Sequence, residues 1–310
     1  MVISRRTFLC AATAGALDTP QFSLGVLADL QYADKDTANK RDYRRSIEKL
    51  RAASDWFNRE RLKFVIQLGD LVDLGVDNLD RMLAEWNHLA APKRHVIGNH
   101  DGDINRATLL ARLGLKKAYY EFNVAGWRFV VLDGMDWSVS PGWPESSENR
   151  RQGTRMLAEL REMKERNAQT WNGAVGDKQK SWLRQTLRAA TKRGERSVVF
   201  CHFPVLAESC RPEHLLWNWR EILEILESEP SVAAWMNGHD HLGGYAARAG
   251  IHFVTMPGVV ENDVLNSARV VDVFSDRLLI RRKDGSGSRR LDLRVRGAGH
   301  RSRVCDIIPG

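Results

Sequence analysis

The 310-residue chain has only four cysteines, and no two of them stand in C-x-x-C spacing. That excludes a zinc-finger framework and gives no basis for a disulfide scaffold. No apolar run approaches the roughly 20 residues a membrane-spanning helix requires. Internal repeats are absent, and nothing in the composition points to a disordered or collagenous chain. What remains is a chain with 43% hydrophobic residues, long enough to bury a sizeable core as one large domain or two small ones.

The formal net charge of +8 sits at the ends. Residues 281–310 hold nine Arg or Lys against three Asp, and residues 1–20 hold Arg5 and Arg6 against Asp18, which leaves about +1 for residues 21–280. The body therefore carries no excess that would specify a nucleic acid. The C-terminal run reads as a solvated basic tail rather than a nucleic-acid arm. At the other end, Ser4–Leu9 (SRRTFL) leads into a short Ala-rich apolar stretch ending at Leu17. This is the order of a twin-arginine export signal, with cleavage expected near Ala14–Ala16. It predicts a periplasmic or exported protein; the alternative is a cytoplasmic chain with two chance arginines. The expected plan is a signal segment over 1–20, a body over 21–282 and a weakly structured tail over 283–310.

Within the body, apolar runs alternate with segments of helical period. Strands are expected at Phe22–Leu30, Lys63–Leu68, Arg94–Ile97, Phe129–Leu132 and Ser197–Cys201. Short β-like runs follow at Val232–Met236, Gly244–Ala247, Ile251–Thr255, Arg269–Phe274 and Leu278–Arg281. Helices are expected at Asp42–Glu60, Asn78–Leu89, Arg150–Glu165, Asp177–Lys192 and Glu213–Ser228. A βα-alternating first half and a strand-rich end suit an α/β layered fold with two sheets and helices outside.

Five of these runs end in a polar cluster: Asp29 and Gln31; Asp70 and Asp73 in LGDLVD; Asn99, His100 and Asp101 in GNHD; His202 in FCHFP; and His239, Asp240 and His241 in NGHDH. Singly, each reads more readily as a turn or a satisfied core histidine than as a functional group. Together they mark the strand ends where an α/β sheet gathers its reacting groups. Imidazole, carboxylate and amide donors without thiolate suit Mn²⁺, Fe or Zn²⁺ rather than an iron–sulfur cluster. Two cations about 3.5–4 Å apart are the means of clamping attacking and leaving oxygens in a displacement at phosphorus.

The ordered set D-x-Q, GD-x-x-D, GNHD, H and G-H-x-H over residues 29–241 resembles the calcineurin-like metallophosphoesterases. A narrower likeness over residues 22–282 is to the manganese-dependent ADP-ribose/CDP-alcohol diphosphatases. FSLGVLADLQYAD, RDYRRSIEKL, WNGAVGDKQKSWL, LLWNWREIL and NGHDHLGGY carry it. The resemblance implies a four-layer α/β fold of two packed mixed sheets flanked by helices (αββα). It implies two divalent cations, Mn²⁺ first, with Fe, Zn²⁺ or Mg²⁺ as alternatives. Asp29, Gln31, Asp70 and His241 would hold the first; Asp70, Asn99, His202 and His239 would hold the second, with Asp70 as the bridge. His100 would stand beside the phosphoryl group, oriented by Asp101, with Asp73 in a supporting role. Gly98 and Gly238 would allow backbone turns beside the metals.

On the substrate side, Trp171, Asn172, Gly173, Trp217 and Asn218 are candidate contacts, with core packing as the alternative for the tryptophans. Tyr43 and Arg44 are weaker candidates for phosphate contact, and Cys210 reads as an inert thiol. The implied reaction is attack of a metal-activated hydroxide on a nucleotide-type small molecule such as ADP-ribose or a CDP-alcohol, splitting its P–O–P bridge. The alternatives are a phosphodiesterase or phosphomonoesterase of the same superfamily and a non-catalytic scaffold.

Overall fold

Residues 19–293 are described by the computed structural model. The export motif, its cleavage site, Cys10, Cys305 and the far part of the basic tail lie outside the described residues. Two six-stranded sheets pack face to face. In chain order the first holds β1 (Phe22–Leu27), β2 (Leu62–Gln67), β3 (Lys93–His95), β10 (Arg269–Val273), β11 (Arg277–Arg281) and β12 (Arg289–Asp292). The second holds β4 (Tyr120–Val124), β5 (Trp127–Val131), β6 (Arg196–Phe200), β7 (Val232–Asn237), β8 (Gly244–Arg248) and β9 (Ile251–Thr255). Strands β1, β2 and β3 run parallel, as do β5, β6, β7 and β9; the remaining pairings are antiparallel.

The central parallel strands are apolar on both faces because each face is covered. Phe64 and Ile66 of β2 point inward with Leu24, Val26, Phe129 and Phe200, while Val65 between them points outward, the period-two alternation of a pleated strand. The inner faces meet through ring edges, with Phe64 and Phe129 T-shaped at 5.0 Å. Outside the first sheet lie α1 (Ser46–Phe57), α2 (Gly75–Trp86) and the short α3 (Arg106–Arg112) and α7 (Val264–Ser267). Leu50, Phe57, Leu79, Met82 and Leu109 bury their apolar stripe against Leu27 and Val65. Outside the second sheet lie α4 (Glu148–Glu162), α5 (Asp177–Lys192) and α6 (Trp219–Glu227). Leu183, Leu187, Ile222 and Leu226 pack there on Val199 and Trp235. The result is the expected αββα layering.

Two expectations are corrected. The helix expected over Glu213–Ser228 begins only at Trp219; before it stand a 3-10 turn over Pro212–His214 and an irregular stretch. Tertiary bonds claim that backbone: Leu216 N–H donates to Pro204 O and Trp217 N–H to Gly173 O. The tail expected from residue 283 is likewise structured at first. β12 pairs antiparallel with β11, and Leu291 and Leu293 bury in the inter-sheet core. The Gly/Ser segment between them is a hairpin connection, with Gly285 and Gly287 at positive φ. Strand β4 and helices α3 and α7 were not anticipated.

Candidate metal centre

The carboxyl ends of β1, β2 and β3 in one sheet meet those of β6 and β7 in the other, and each delivers its polar cluster to the same edge. The backbone turns sharply there. Asp29, Gln31, Asp70 and His239 have φ of 54°, 45°, 56° and 70°, the left-handed region that non-glycine residues adopt at a cost and that recurs at functional sites. Gly98 and Gly238 serve close approach rather than φ. A Cβ on Gly98 would stand 2.1 Å from Asp70 Oδ1, and one on Gly238 would stand 2.4 Å from Asp29 Oδ2.

Two groups of donors form around Asp70: Asp70, His202 and His239, and Asp29, Asp70 and His241, each within 4.8 Å. His241 Nε2 lies 3.3 Å from Asp29 Oδ1, and His202 Nε2 lies 3.3 Å from Asp70 Oδ2. Asn99 Oδ1 is 3.1 Å from His202 Nε2. Gln31 Nε2 donates to Asp70 Oδ2 at 3.0 Å and lies 3.1 Å from His241 Nε2. The Gln31 carbonyl oxygen is buried without a partner.

Each imidazole has its far nitrogen committed, which fixes which nitrogen faces inward. His202 Nδ1 meets Leu68 O at 2.8 Å, His239 Nε2 meets Asn172 Oδ1 at 2.8 Å, and His241 Nδ1 meets Glu261 Oε1 at 3.1 Å. Burial disfavours charge on every one of these groups, yet His202 is pushed up to about 9 by Asp70, and His241 to about 10 by Asp29 and Glu261. Asp70 is held far below its ordinary value because His202 and His100 outweigh its burial. Two fully buried carboxylates, three inward-facing imidazoles and an orphaned amide oxygen fit a pair of divalent cations sharing Asp70. The oxygen-rich half around Gln31 suits Mn²⁺.

His100 lies beside this centre, its Nε2 3.9 Å from Asp70 Oδ2. The carboxylate that orients it is Asp73, which accepts from His100 Nδ1 and also from Lys35. This corrects the expectation for Asp101. Asp101 turns away to accept the backbone N–H groups of Asp70, Leu71, Val72 and Gly98. It thereby ties the GD and GNHD loops together, while burial and the neighbouring Asp70 push its carboxyl up to about 6.

A cleft of about 380 Å³ opens over the centre, lined by Gln31, Arg41, Asp70, Asn99, His100, Trp171, His214, His239 and His241. Of the five expected substrate contacts only Trp171 reaches it, 44% exposed. Asn172 is buried and holds His239. Gly173 sits tight against Gly134 O, where a Cβ would stand at 2.4 Å. Trp217 is core, packed near Leu157 and Leu160, its indole N–H donating to Gln169 O. Asn218 clamps both backbone groups of Val175. Tyr43 is buried with Ala33 and Val260, and Arg44 pairs with Asp34 and Asp36 on a separate surface groove. The sequence reading missed Glu261, Arg41, His214 and Lys35, whose neighbours form no recognisable pattern.

The calcineurin-like phosphoesterase pattern matches residues 22–243. A manganese-dependent ADP-ribose/CDP-alcohol diphosphatase of Arabidopsis thaliana is 34% identical over 291 residues, covering 84% of this chain and 93% of that protein. Its namesake in Oryza sativa subsp. japonica is 32% identical, covering 84% and 91%. Among solved structures, a dimetal phosphatase from Danio rerio superposes with a TM-score of 0.81 at 29% identity, covering 89% of this chain and 100% of that one.

Proposed function

We propose, on the premise that the chain belongs to the calcineurin-like phosphoesterases and among them to the manganese-dependent ADP-ribose/CDP-alcohol diphosphatases, that Asp29, Gln31, Asp70 and His241 hold one Mn²⁺ and Asp70, Asn99, His202 and His239 the other. The protein is a dinuclear metal-dependent hydrolase of nucleoside diphosphate-linked small molecules. The observation that carries this reading is the pair of donor groups sharing Asp70 at the floor of the cleft.

When bound, such a pair acidifies water to supply a nucleophile at neutral pH and offsets phosphoryl charge. The chain's own groups supply the rest. His100, its Nδ1 held by Asp73, offers Nε2 to a phosphoryl oxygen, where charge grows as the P–O bond breaks. The departing group is itself a phosphate, which tolerates negative charge and needs less protonation than an alkoxide. Arg41, whose Nε lies 3.3 Å from Glu261 Oε1, brings a guanidinium to the cleft for the second phosphate. Trp171 offers an aromatic face on which a nucleobase can stack.

The test is a substrate panel on metal-stripped protein reloaded with Mn²⁺, Mg²⁺ or Zn²⁺. With Mn²⁺, ADP-ribose and CDP-choline should be cleaved to AMP and CMP faster than a cyclic nucleotide or p-nitrophenyl phosphate, and Asp70→Asn should abolish turnover together with metal content. A panel led by p-nitrophenyl phosphate or a cyclic nucleotide would overturn the substrate assignment.

A further inference from the structure

Lys35 has no place in the reaction as described, yet it stands behind the residue that orients His100. Its ammonium donates to Asp73 Oδ2, while Asp73 Oδ1 accepts from His100 Nδ1. The two carboxylate oxygens are thus divided, one to each partner. Lys35 is itself fixed from behind, its Nζ 3.8 Å above the ring centroid of Tyr43. Tyr43 is buried at 6% exposure. Asp73 is equally confined: its side chain is 6% exposed, and its backbone N–H donates to Tyr32 O at 3.0 Å. A buried ring, a cation, a carboxylate and an imidazole follow one another from the 33–43 segment to the cleft.

We infer that Lys35 is a positioning residue that acts on turnover through Asp73 by locking the rotamer of His100. The physical case is one of freedom removed. An Asp73 carboxylate bonded to His100 alone could rotate about its side-chain torsions and carry the imidazole with it. A second, charge-assisted bond at the other oxygen, itself backed by a cation–π contact, removes that rotation. Misplacing a reacting group by an ångström can cost about 100-fold in rate. Because the His100 contact strengthens as charge grows at the phosphoryl oxygen, the loss falls on the transition state rather than on bound substrate. Lys35 is only partly exposed, at 35% of its side chain, and does not line the cleft. Its effect should therefore fall on kcat and not on KM.

The inference rests on the proposed role of His100, and the test separates the two. Lys35→Met, Lys35→Arg, His100→Ala and the Lys35→Met/His100→Ala double variant are assayed in the Mn²⁺-loaded protein. ADP-ribose and bis(p-nitrophenyl) phosphate, a generic diester, are both used. Lys35→Met should lower kcat about tenfold with KM unchanged within about twofold, and Lys35→Arg should recover most of it. In the His100→Ala background, Lys35→Met should have less than a twofold further effect, the signature of residues acting as a unit. A rise in KM with kcat intact would make Lys35 a direct phosphate contact. An equal loss with and without His100, or no loss at all, would equally overturn the inference. Failure on ADP-ribose with the same pattern on the diester would sink the substrate reading and leave the positioning role standing.

Discussion

His239 Nδ1 stands 3.1 Å from His202 Nε2, two imidazoles on the loops after neighbouring strands β7 and β6 facing each other with their outer nitrogens already bonded. Two neutral lone pairs at that distance repel, so a positive charge must lie between them. In the metal-free protein a proton supplies it: His202 is pushed up to about 9 by Asp70, whereas burial and the His202 charge hold His239 well below its ordinary value. His241, at about 10 beside Asp29 and Glu261, holds a second proton.

Metal uptake must expel those protons, because a ligating imidazole is neutral. Both raised values lie above pH 7.5, so both rings are protonated there before loading. Titrating Mn²⁺ into the metal-stripped protein in weak buffer with a pH indicator should release at least two protons per chain, two from these imidazoles and any further one from the water that the cations would acidify. Release should decline as the starting pH is raised through 9 to 10. Uptake of Mn²⁺ with no proton release would contradict the ligand assignment of His202 and His241.

Asn172 was expected at the substrate and is found holding His239 Nε2 at 2.8 Å, with its own Nδ2 fixed by Asn167 O and Glu213 O. Partners that orient a metal-ligating histidine typically contribute 10–100-fold to metal affinity. Asn172→Ala should raise the Mn²⁺ dissociation constant by that range, read by isothermal titration, while KM at saturating Mn²⁺ moves little. A KM effect with unchanged metal affinity would restore Asn172 to the substrate side.

How far the sequence reached depends on the range of the forces involved. Helix α5 and strand β9 match their expected bounds residue for residue, since each is set by local periodicity between clear punctuation. The strand-end clusters were legible because five polar groups interrupt five apolar runs. Asn172 and His239 are 67 residues apart, and His100 and Asp73 are joined only once β2 and β3 lie side by side. No local pattern marks such pairs. The false start of the helix at Glu213 has the same cause, since long-range bonds to Pro204 and Gly173 overrode an apolar spacing that suits a helix.

Gln31 is the one neutral amide beside the Asp29, Asp70 and His241 donors, with its carbonyl oxygen buried and unpartnered. An amide oxygen favours harder cations, and an imidazole nitrogen favours softer ones. Gln31→His should shift the order of activating metals from Mn²⁺ toward Zn²⁺, measured by reloading the stripped variant with each. The left-handed φ of 45° at this position is one that histidine tolerates better than most residues. An unchanged preference for Mn²⁺ would mean that Gln31 does not set metal choice.

His95, in β3, offers a pH test of stability away from the centre. It is buried against Trp86, its Nδ1 3.4 Å from Gln67 Nε2. Burial first, then the nearby Lys93 and Arg94, push its value down to about 4 from 6.5. A histidine depressed on folding binds its proton more readily in the unfolded chain. It therefore costs nothing above pH 6.5 and destabilises progressively as pH falls from there toward 4. At about 1.36 kcal/mol per unit, the full loss near pH 4 is roughly 3 kcal/mol. Burial also holds His100, His214 and His239 below their ordinary values, so the decisive quantity is the difference between wild type and His95→Gln. Urea unfolding of the metal-stripped protein at steps between pH 7 and 4 should show the variant less stable or equal at pH 7. Its relative stability should then climb by a few kcal/mol as the pH drops. Parallel curves over that range would show that His95 takes up its proton in the folded protein as readily as in the unfolded chain.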